Sequence, residues 1–281
     1  MMRALYAGVT GLRNHQTKMD VIGNNISNVN TVAYKGSRVL FQDIYSQTIS
    51  SASGANGTNN GGTNPKQVGL GTTMATIDVL HNSSASQYTG SPLDLSIEGD
   101  GYFVLSTAGQ LTYTRAGNFY TDEQNYLVNA NGSYVVGCQV TTDPVSGAVT
   151  VDPTHQTNIL IDPQYYDVTI DQNGSVIGID RTTEDKVVIG QLLLATFANE
   201  SGLEKVGDNA YRTTVNSGDA EYGTPGDDGI GLLNPGSLEM SNVDLVSEFT
   251  DMIVTQRGFQ ANSRIITTTD AMLEEIVNLK R

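Results

Sequence analysis

Cysteine is almost absent from this chain, and tryptophan is missing altogether: the 281 residues contain one Cys and no Trp. The single thiol, Cys138, excludes an intramolecular disulfide framework and any metal cluster built from cysteines. His15, His81 and His155 lie far apart in the sequence, which argues against a histidine-rich metal site. No apolar run approaches the roughly 18 residues of a membrane-spanning helix, so we expect no membrane insertion.

Basic side chains are also scarce. Lys and Arg number 15 against 30 Asp and Glu, which gives a net charge of −15. A chain of this kind is poorly suited to nucleic acid, because neutralising phosphates requires clustered cations. The charge is uneven: residues 1–40 carry +4 and residues 236–281 carry −3, which leaves −16 for residues 41–235. The acidic middle is expected to face solvent and to keep single molecules soluble.

Recognisable catalytic and cofactor-binding motifs are missing. The sequence has no G-x-S-x-G nucleophile elbow, and its glycine-rich stretches lack the lysine of a phosphate-binding loop. Asp171–Gly174 resembles the opening of a calcium loop, but Thr182 occupies the place of the final acidic ligand, so a hairpin turn is favoured. Residues 227–229 are interpreted as a solvated loop. We therefore predict that the protein is not an enzyme and has no catalytic residues, cofactor or metal site.

The N-terminal segment has the periodicity of an amphipathic helix. Polar residues between Thr10 and His15 interrupt any continuous apolar core, and no small-residue cleavage site follows, so a cleaved signal peptide is not predicted. Apolar residues recur at spacings of three and four, which predicts a helix of about 25 residues that ends near Asn28–Asn30. The predicted packing residues of this helix are Leu5, Val9, Leu12, Met19, Ile22 and Ile26.

A stronger pattern of the same kind predicts a second helix at the C-terminus, over about 243–279. Asn242 is the expected N-cap, and Asp244 and Glu248 suit the positive end of the helix dipole. A helix of this length exceeds what a small globule can cover and is typical of a coiled coil. Its predicted packing residues are Leu245, Phe249, Met252, Phe259, Ile266, Leu273 and Val277, with Gln256, Ser263 and Asp270 as polar interruptions.

Between the helices, the sequence changes to short apolar runs separated by turn residues. Residues 50–64 are small or uncharged polar, which is typical of a flexible linker or a long loop. From about 68 to 235, the regular spacing of short runs argues for a β-sandwich or barrel-like domain. The runs that we interpret as strands lie at 74–80, 93–99, 101–106, 126–129, 134–140, 167–170, 175–179 and 186–197.

The pattern as a whole predicts an α+β fold with a mainly β middle. Residues 1–30 and 243–281 are expected to form one coiled-coil-like domain from the two long amphipathic helices. Residues 31–80 and 232–242 are expected to form an extended connecting region, and residues 81–231 a β-rich outer domain. Because each helix needs a partner for its apolar face, we expect the helices to pack on each other and on neighbouring molecules.

Motifs at both ends of the chain and in its middle carry a family resemblance. Residues 2–45 include the box NNISNVNTVAYK at 24–35, and residues 236–279 include SNVD, MIVTQRGFQAN and TTDAML. The middle includes DLSIEGDGYFVL at 94–105. Together these segments resemble the bacterial flagellar axial proteins, which are rod, hook and hook–filament junction subunits. The residues that match the family motif are Asn24, Asn25, Asn28, Asn30, Thr31, Lys35, Asn242, Gln256, Arg257 and Asn262.

The resemblance implies a structural protein that assembles with copies of itself into a hollow helical tube. It further implies an inner layer of terminal helices, an outer layer formed by the β-rich middle, and export through the flagellar type III apparatus without a cleaved signal. The sequence is most similar to short hook proteins, which implies an extracellular subunit of the flexible joint between rod and filament. A distal-rod subunit of the basal body is the alternative, and a secreted β-domain adhesin is less favoured.

The same resemblance implies a set of partners. The first is the chain itself, as a helical homopolymer. Rod and hook–filament junction subunits are expected at the ends of that polymer, with the hook cap present during assembly and the type III export apparatus during secretion. Neither nucleic acid nor a membrane is expected to bind.

Overall fold

The computed structural model describes residues 2–54, 61–142, 149–181, 184–227 and 229–279. It describes the side chains of these residues except at 139–142 and 149–155. A long helix stands at each end of the chain, and strands make up most of the part between them. Helix α1 spans Met2–Ser27 and helix α2 spans Leu245–Leu279. The predicted α+β class is confirmed, and so are both terminal helices and the β-rich middle.

The start of α2 differs from the prediction in its capping residue. The Oδ1 of Asp244 accepts a hydrogen bond of 2.9 Å from the backbone N–H of Val246, and the backbone oxygen of Asp244 accepts one of 3.0 Å from Glu248. Asp244 is therefore the N-cap, and the prediction of Asn242 in that role was wrong. The backbone N–H of Asn242 instead donates to the backbone oxygen of Tyr34 at 3.4 Å, so Asn242 belongs to the segment before the helix.

The chain folds into two compact units. The first, here called the helical unit, consists of Met1–Ser27, Gly36–Leu80 and Val243–Arg281. The second, here called the β unit, consists of Asn28–Lys35 and His81–Asn242. Each unit is built from segments that are distant in the sequence, so neither corresponds to one continuous stretch of chain.

Besides the helices, the helical unit contains strands that pair as antiparallel ribbons. These strands are β1 (Ser37–Asp43), β2 (Ser46–Ser50), β3 (Lys66–Gly69) and β4 (Thr72–Val79). β1 pairs with β4, and β2 pairs with β3. The described part of the 50–64 segment lies at the end of the second ribbon, where Ser53 and Thr63 form a β-bridge; its residues 55–60 lie outside the described part of the chain.

The β unit is built from short strands that are joined by antiparallel pairing. The strands are β5 (Ser86–Tyr88), β6 (Leu95–Glu98), β7 (Tyr102–Thr107), β8 (Gln110–Thr114), β9 (Phe119–Thr121), β10 (Leu127–Asn129), β11 (Tyr134–Thr142), β12 (Val149–Asn158), β13 (Tyr165–Ile170), β14 (Ser175–Asp180), β15 (Lys186–Leu192), β16 (Leu194–Thr196), β17 (Glu204–Gly207), β18 (Ala210–Arg212), β19 (Glu221–Gly223), β20 (Leu232–Pro235) and β21 (Ser237–Glu239). A single 3₁₀ turn at Glu200–Gly202 lies between β16 and β17 in the described chain. Each predicted strand run overlaps an observed strand, and the run at 186–197 contains both β15 and β16.

The main sheet of the β unit follows the order β13-β14-β15-β11-β7-β8-β18-β17. Strands β9, β10, β12, β16 and β19 attach to this path as branches. Two short pairs, β20 with β6 and β21 with β5, connect the last strands before α2 to the first strands of the unit. The two ends of the β unit are therefore joined by backbone hydrogen bonds.

Both faces of the central strand β7 are buried, which explains its continuous apolar sequence. Phe103 and Leu105 belong to one hydrophobic cluster, whereas Tyr102 and Val104 belong to a second. Successive residues of a strand face opposite sides, so a strand that is covered on both sides is apolar at every position. The first cluster also contains Leu95, Ile97, Phe119, Leu127, Val135, Ile159, Ile161, Ile170, Val176, Leu192, Leu194 and Leu233, and the second contains Tyr113, Val136, Ala195, Phe197, Leu203 and Tyr211.

The turn at Asp171–Gly174 is a tight hairpin between β13 and β14. The backbone N–H of Gly174 donates to the oxygen of Asp171 at 2.9 Å, and the φ of Gly174 is +78°, a region that favours glycine. The prediction of a hairpin turn is therefore confirmed. Cys138 is buried, as expected of a small core residue. Thr182, Asp228 and the side chain of His155 lie outside what the structure describes.

A buried ion pair lies in the β unit between residues that are distant in the sequence. The Nζ of Lys35 is 2.7 Å from the Oε1 of Glu239, and the two side chains are 0% and 1% exposed. The same ammonium donates to the backbone oxygen of Asn82 at 2.8 Å, and Glu239 Oε1 also accepts from the N–H of Ser84 at 3.1 Å. Burial lowers the pKa of Lys35, while the nearby Glu239 carboxylate acts in the opposite direction.

A second buried cation completes this cluster. The Nη1 of Arg115 is 3.7 Å from the Oε2 of Glu239 and donates to the backbone oxygen of Gly99 at 2.9 Å. Its guanidinium also lies over the ring of Tyr102, 5.1 Å from the ring centroid. One buried carboxylate therefore faces two buried cations, of which Lys35 is the closer.

The burial of the Lys35–Glu239 pair generates a stability prediction. Lys35→Met should lower the free energy of unfolding by about 3–5 kcal/mol, because it leaves Glu239 buried with only the more distant Arg115. Arg212→Met is the matched control: Arg212 also forms a salt bridge, at 2.8 Å to Glu204, but both side chains are 55% exposed. That substitution should cost less than about 1 kcal/mol. Urea unfolding of the full chain, followed by tyrosine fluorescence, measures both, and equal losses would contradict the prediction.

Candidate functional site: the assembly surface of the helical unit

Helices α1 and α2 pack against each other as an antiparallel pair. The Nζ of Lys18 lies 3.4 Å from the Oδ2 of Asp251. Nearer the start of α1, the Cβ position of Gly8 lies next to Ile266, and nearer its end the amide of Asn25 contacts α2. Residues near the start of α1 contact the middle of α2, and residues near the end of α1 contact the start of α2, so the two helices are antiparallel.

The less exposed side of each helix forms the seam between them. Its residues alternate at spacings of three and four, which is the period of a heptad. On α1 the seam contains Leu5, Gly8, Leu12, His15, Met19, Ile22 and Ile26. On α2 it contains Met252, Thr255, Phe259, Asn262, Ile266, Thr269 and Leu273.

On each helix one column of the seam is apolar, and the other column contains the small or polar residues, with Ile22 as its one apolar member. The apolar columns, with Met19 or Phe259 as examples, coincide with residues that the sequence singled out as packing positions. The second column of α2 contains Thr255, which is buried, whereas its neighbour Gln256 is exposed. Asp270 is likewise exposed, and Ser263 is half-buried. A search for recurring apolar residues does not detect a column made of Thr, Asn and Gly.

Small residues allow the helices to approach each other closely. A Cβ added at Gly258 would lie 2.6 Å from the Cε1 of His15. A Cβ added at Gly11 would lie 2.8 Å from the Nδ2 of Asn262. Both distances are shorter than a van der Waals contact, so a larger residue at either point would have to displace the facing side chain.

The seam leaves many apolar side chains of the helices exposed to solvent. Of the predicted packing residues, Ile22 is buried, and Leu5, Leu12, Met19, Ile26, Met252, Phe259, Ile266 and Leu273 are half-buried. The remaining ones, Val9, Leu245, Phe249 and Val277, are exposed. A helix with apolar residues on more than one side normally packs against more than one partner. The other exposed apolar residues of the helices are Met2, Tyr6, Val246, Ile253, Val254, Ile265, Met272, Ile276 and Leu279.

The strand ribbons of the helical unit also expose apolar side chains. An isolated two-stranded ribbon is marginally stable in water, and a contiguous exposed apolar surface commonly marks an interaction site. The ribbon formed by β1 and β4 is anchored to α1, because the Nδ2 of Asn14 donates to the Oγ1 of Thr72 at 3.0 Å. Exposed apolar residues of the ribbons are Leu40, Phe41, Ile44, Tyr45, Ile49, Val68, Met74 and Ile77. We call these residues and the exposed helix residues the assembly surface.

Asn25, a residue of the family motif, ties three elements of the helical unit together. Its Nδ2 donates to the backbone oxygen of Ser37 at 2.8 Å and to the Oε1 of Glu248 at 2.9 Å, and its Oδ1 accepts from the N–H of Ser37 at 3.0 Å. One buried amide thereby fixes the end of α1 to the start of β1 and to the first turn of α2. Burial raises the pKa of Glu248, and the bond from Asn25 opposes that shift.

The other motif residues of the helical unit lie on the helices. Asn24 and Gln256 are exposed. The Nη1 of Arg257 donates to the Oε1 of Gln260 at 3.4 Å on the exposed side of α2. Asn262 lies in the seam, beside Gly11. These residues therefore occupy both the seam and the exposed side of the helix pair.

The remaining motif residues belong to the β unit. The Oδ1 of Asn28 accepts from the hydroxyl of Thr31 at 3.1 Å, which closes a local turn, while Asn30 is exposed. Lys35 forms the buried ion pair described above. The Nδ2 of Asn242 donates to the backbone oxygen of Asn82 at 3.4 Å. Glu239 and Arg115 were missed by the sequence analysis, because no local pattern shows that they are buried together with Lys35.

The described residues contain no group of three or more His, Cys, Asp or Glu side chains that could hold a metal ion. None of the helices in the described part of the chain is both long and apolar enough to cross a membrane. The helical unit carries exposed apolar side chains on an antiparallel helix pair.

Three family models match this chain. Residues 5–35 match the model described as "Flagella basal body rod protein". Residues 96–178 match "Flagellar hook protein FlgE/F/G D1 domain", and residues 234–279 match "Flagellar basal body rod FlgEFG protein C-terminal". The matches fall on both terminal segments and on the β-rich middle.

Curated relatives align with the whole chain. The flagellar basal-body rod protein FlgG of Bacillus subtilis is 50% identical over 282 residues, with all of both chains covered. The FlgG of Caulobacter vibrioides is 38% identical over 283 residues, covering 99% of this chain and all of the relative. The flagellar hook protein FlgE of Borreliella burgdorferi is 32% identical over 443 residues, again with all of both chains covered.

The close helix approach generates a prediction that compares glycines within the helices. Gly23→Ala should stabilise the protein by about 0.5–1 kcal/mol, because alanine is the better helix former and the added Cβ meets nothing within 4 Å. Gly258→Ala should give no gain and should destabilise, because the new Cβ overlaps the ring of His15. Thermal melts followed by circular dichroism at a helix wavelength measure the difference. A similar gain at both positions would refute the close approach.

Proposed function

The chain belongs to the family of flagellar rod and hook proteins, and from that membership we propose that it is a structural subunit of the distal rod of the bacterial basal body. The observation that carries the proposal is the identity of 50% to a basal-body rod protein over 282 residues, essentially the full length of both chains. The comparisons thus favour the distal rod, which the sequence analysis held as the alternative, over the hook, which was its main reading.

Chain length supports the rod over the hook. The alignments with two hook relatives extend over 443 and 467 residues, although this chain has only 281 residues. More than 160 positions in each of those alignments therefore have no counterpart in this chain. The alignments with rod relatives from Bacillus subtilis and Caulobacter vibrioides extend over 282 and 283 residues and need almost no gaps.

The assembly surface supports self-assembly as the mechanism. Phe249, Ile253 and Ile276 are 50%, 59% and 50% exposed, so a neighbour that buries the rest of each side chain gains about half of the roughly 1.5–3 kcal/mol of a full burial. Contacts between different surfaces of identical subunits extend into a helical polymer when the rotation between neighbours does not close a ring. In that polymer, residues 1–30 with 243–281 form the inner layer of the tube, 31–80 with 232–242 the connecting region, and 81–231 the outer domain.

The proposed location is the flagellar basal body. The partners of the subunit are copies of itself, further rod subunits at one end of the polymer and hook subunits at the other. The subunit is exported through the flagellar type III apparatus without a cleaved signal peptide. The hook reading would instead place hook–filament junction subunits and the hook cap beside it. In either position the role is structural, and the polymer needs no catalytic site.

The exposed apolar residues of α2 generate a test of self-assembly. Phe249→Glu should raise the critical concentration for polymerisation roughly tenfold or more, since it loses about 1 kcal/mol of apolar burial and places a carboxylate in the contact. It should lower the melting temperature of the monomer only slightly, because half of the Phe249 side chain is exposed there. Val215→Glu is the control, because Val215 is exposed but lies in the β unit. The Val215→Glu variant should polymerise normally. Sedimentation assays give the critical concentrations of both variants. Normal polymerisation of Phe249→Glu would count against the role of the assembly surface in self-assembly.

The distinction between rod and hook is tested by complementation in Bacillus subtilis. Expression of this chain should restore motility to a strain that lacks its own rod protein FlgG, whose sequence is 50% identical. It should not restore motility to a strain that lacks the hook protein. Rescue of the hook-deficient strain alone would overturn the rod assignment while leaving the family membership intact.

A further inference from the structure

His81 is enclosed by aromatic rings of the β unit and forms a hydrogen bond through only one of its ring nitrogens. Its Nδ1 shares a hydrogen bond of 2.7 Å with the hydroxyl of Tyr102, and its ring centroid lies 5.5 Å from that of Tyr211. Its Nε2 is buried and has no hydrogen-bond partner in the described structure. A neutral imidazole carries one N–H, whereas an imidazolium must donate from both nitrogens, so the site suits only the neutral form.

The cations near His81 come from three separate parts of the β unit. Lys35 is the last residue of the segment 28–35, which precedes β1. Arg115 follows β8, and Lys205 lies on β17. All of them disfavour a further positive charge on the imidazole. Burial, followed by these cations, lowers the pKa of His81 from its ordinary value of 6.5 to about 4.

The acidic groups of this region are already engaged. The Oε1 of Glu239 accepts from the Nζ of Lys35 at 2.7 Å and from the N–H of Ser84 at 3.1 Å. Glu200, in the 3₁₀ turn, interacts with Arg115 and Lys35, and burial raises its pKa. Neither carboxylate forms a hydrogen bond with His81 in the structure, so a proton on His81 would find no counter-ion in contact with it.

The residues around His81 also hold the segment 28–35 in place. The backbone N–H of Ala33 donates to the backbone oxygen of Glu239 at 2.9 Å. The Nζ of Lys35 donates to the backbone oxygen of Asn82, the residue after His81, at 2.8 Å. From the other side, the Nζ of Lys205 donates to the backbone oxygen of Lys35 at 2.9 Å. A charge on His81 therefore acts on the same groups that hold this segment.

We propose that His81 is an acid-sensitive latch, which holds residues 28–35 against the rest of the β unit at neutral pH and releases them when its imidazole becomes protonated. Protonation adds a fourth cation beside Lys35, Arg115 and Lys205 and makes both ring nitrogens N–H donors, of which only Nδ1 has a partner, the hydroxyl of Tyr102. The segment carries Asn28, Thr31 and Lys35 of the family motif, so acid would act on residues that match the family.

The sign of the effect follows from proton binding. Below pH 6.5 the unfolded or released chain binds a proton at His81 that the closed unit excludes, so closure is most stable above that pH and weakens toward pH 4. Glu200 acts in the opposite direction, since its raised pKa lets the closed unit take up a proton in mild acid. Only a substitution at His81 separates the two contributions.

Amide hydrogen exchange at Ala33 in the full-length monomer tests the latch. After correction for the intrinsic rate, exchange at Ala33 should be at least about tenfold faster at pH 4.5 than at pH 7 in the unmodified chain. In His81→Asn, whose Oδ1 replaces the Nδ1 acceptor but cannot take a charge, the two pH values should give nearly the same exchange. His15→Gln is the matched control: His15 is also a poorly solvated histidine with an unpartnered ring nitrogen, but it lies in the helical unit.

The outcomes separate cleanly. An acid response at Ala33 that survives in His15→Gln and disappears in His81→Asn supports the latch. An equal response in the unmodified chain and in His81→Asn, or no response in either, overturns it. If His81→Asn does not fold, nuclear magnetic resonance titration of the unmodified chain tests the latch instead, because it measures the pH at which the His81 ring becomes protonated. A midpoint near 4 supports the latch, and a midpoint near 6.5 overturns it.

Discussion

The close contact between α1 and α2 is the constraint on which the helical unit depends. Gly8, Gly11 and Gly258 bring the helices together, and Thr255 and Thr269 are buried in the seam. Because Gly8, His15, Thr255, Asn262 and Thr269 occupy five of the fourteen seam positions, the seam uses only part of the apolar side chains of the helices. Phenylalanine, isoleucine and valine residues on the outer sides of the helices thus remain available for other subunits. The internal packing and the assembly surface are consequently two results of the same spacing.

The β unit solves the opposite problem, because its own chain completes its core. Strand β7 is covered on both faces, and the apolar clusters on its two sides contain most of the large buried side chains of the protein. The first and last segments of the β unit are joined by pairing of β20 with β6 and of β21 with β5, and by the buried Lys35–Glu239 contact. A β unit with a buried core and a helical unit with exposed apolar side chains are the division expected of a subunit that packs on its neighbours through its helices.

The overall composition acquires a physical explanation from this division. A hydrophobic fraction of 38% is modest for a chain of 281 residues, and the net charge of −15 lies mainly between the helices. The apolar residues of the β unit suffice for its core, whereas those of the helical unit are spread over several sides. An axial subunit of this family leaves part of its hydrophobic burial to its neighbours, and binding to those neighbours stabilises the folded state.

The sequence by itself determined the elements that depend on local periodicity. It predicted both helices, the strands with continuous apolar runs, the turn at Asp171–Gly174 and the apolar column of the seam, because neighbouring residues specify these features. Only the tertiary structure decided that Asp244 rather than Asn242 caps α2, that Thr255 faces the seam beside exposed Gln256, and that Lys35 meets Glu239. The last two residues are separated by 204 positions, and no local pattern encodes such a contact. Their pairing depends on the path of the whole chain, which brings buried charges together only when the fold is complete.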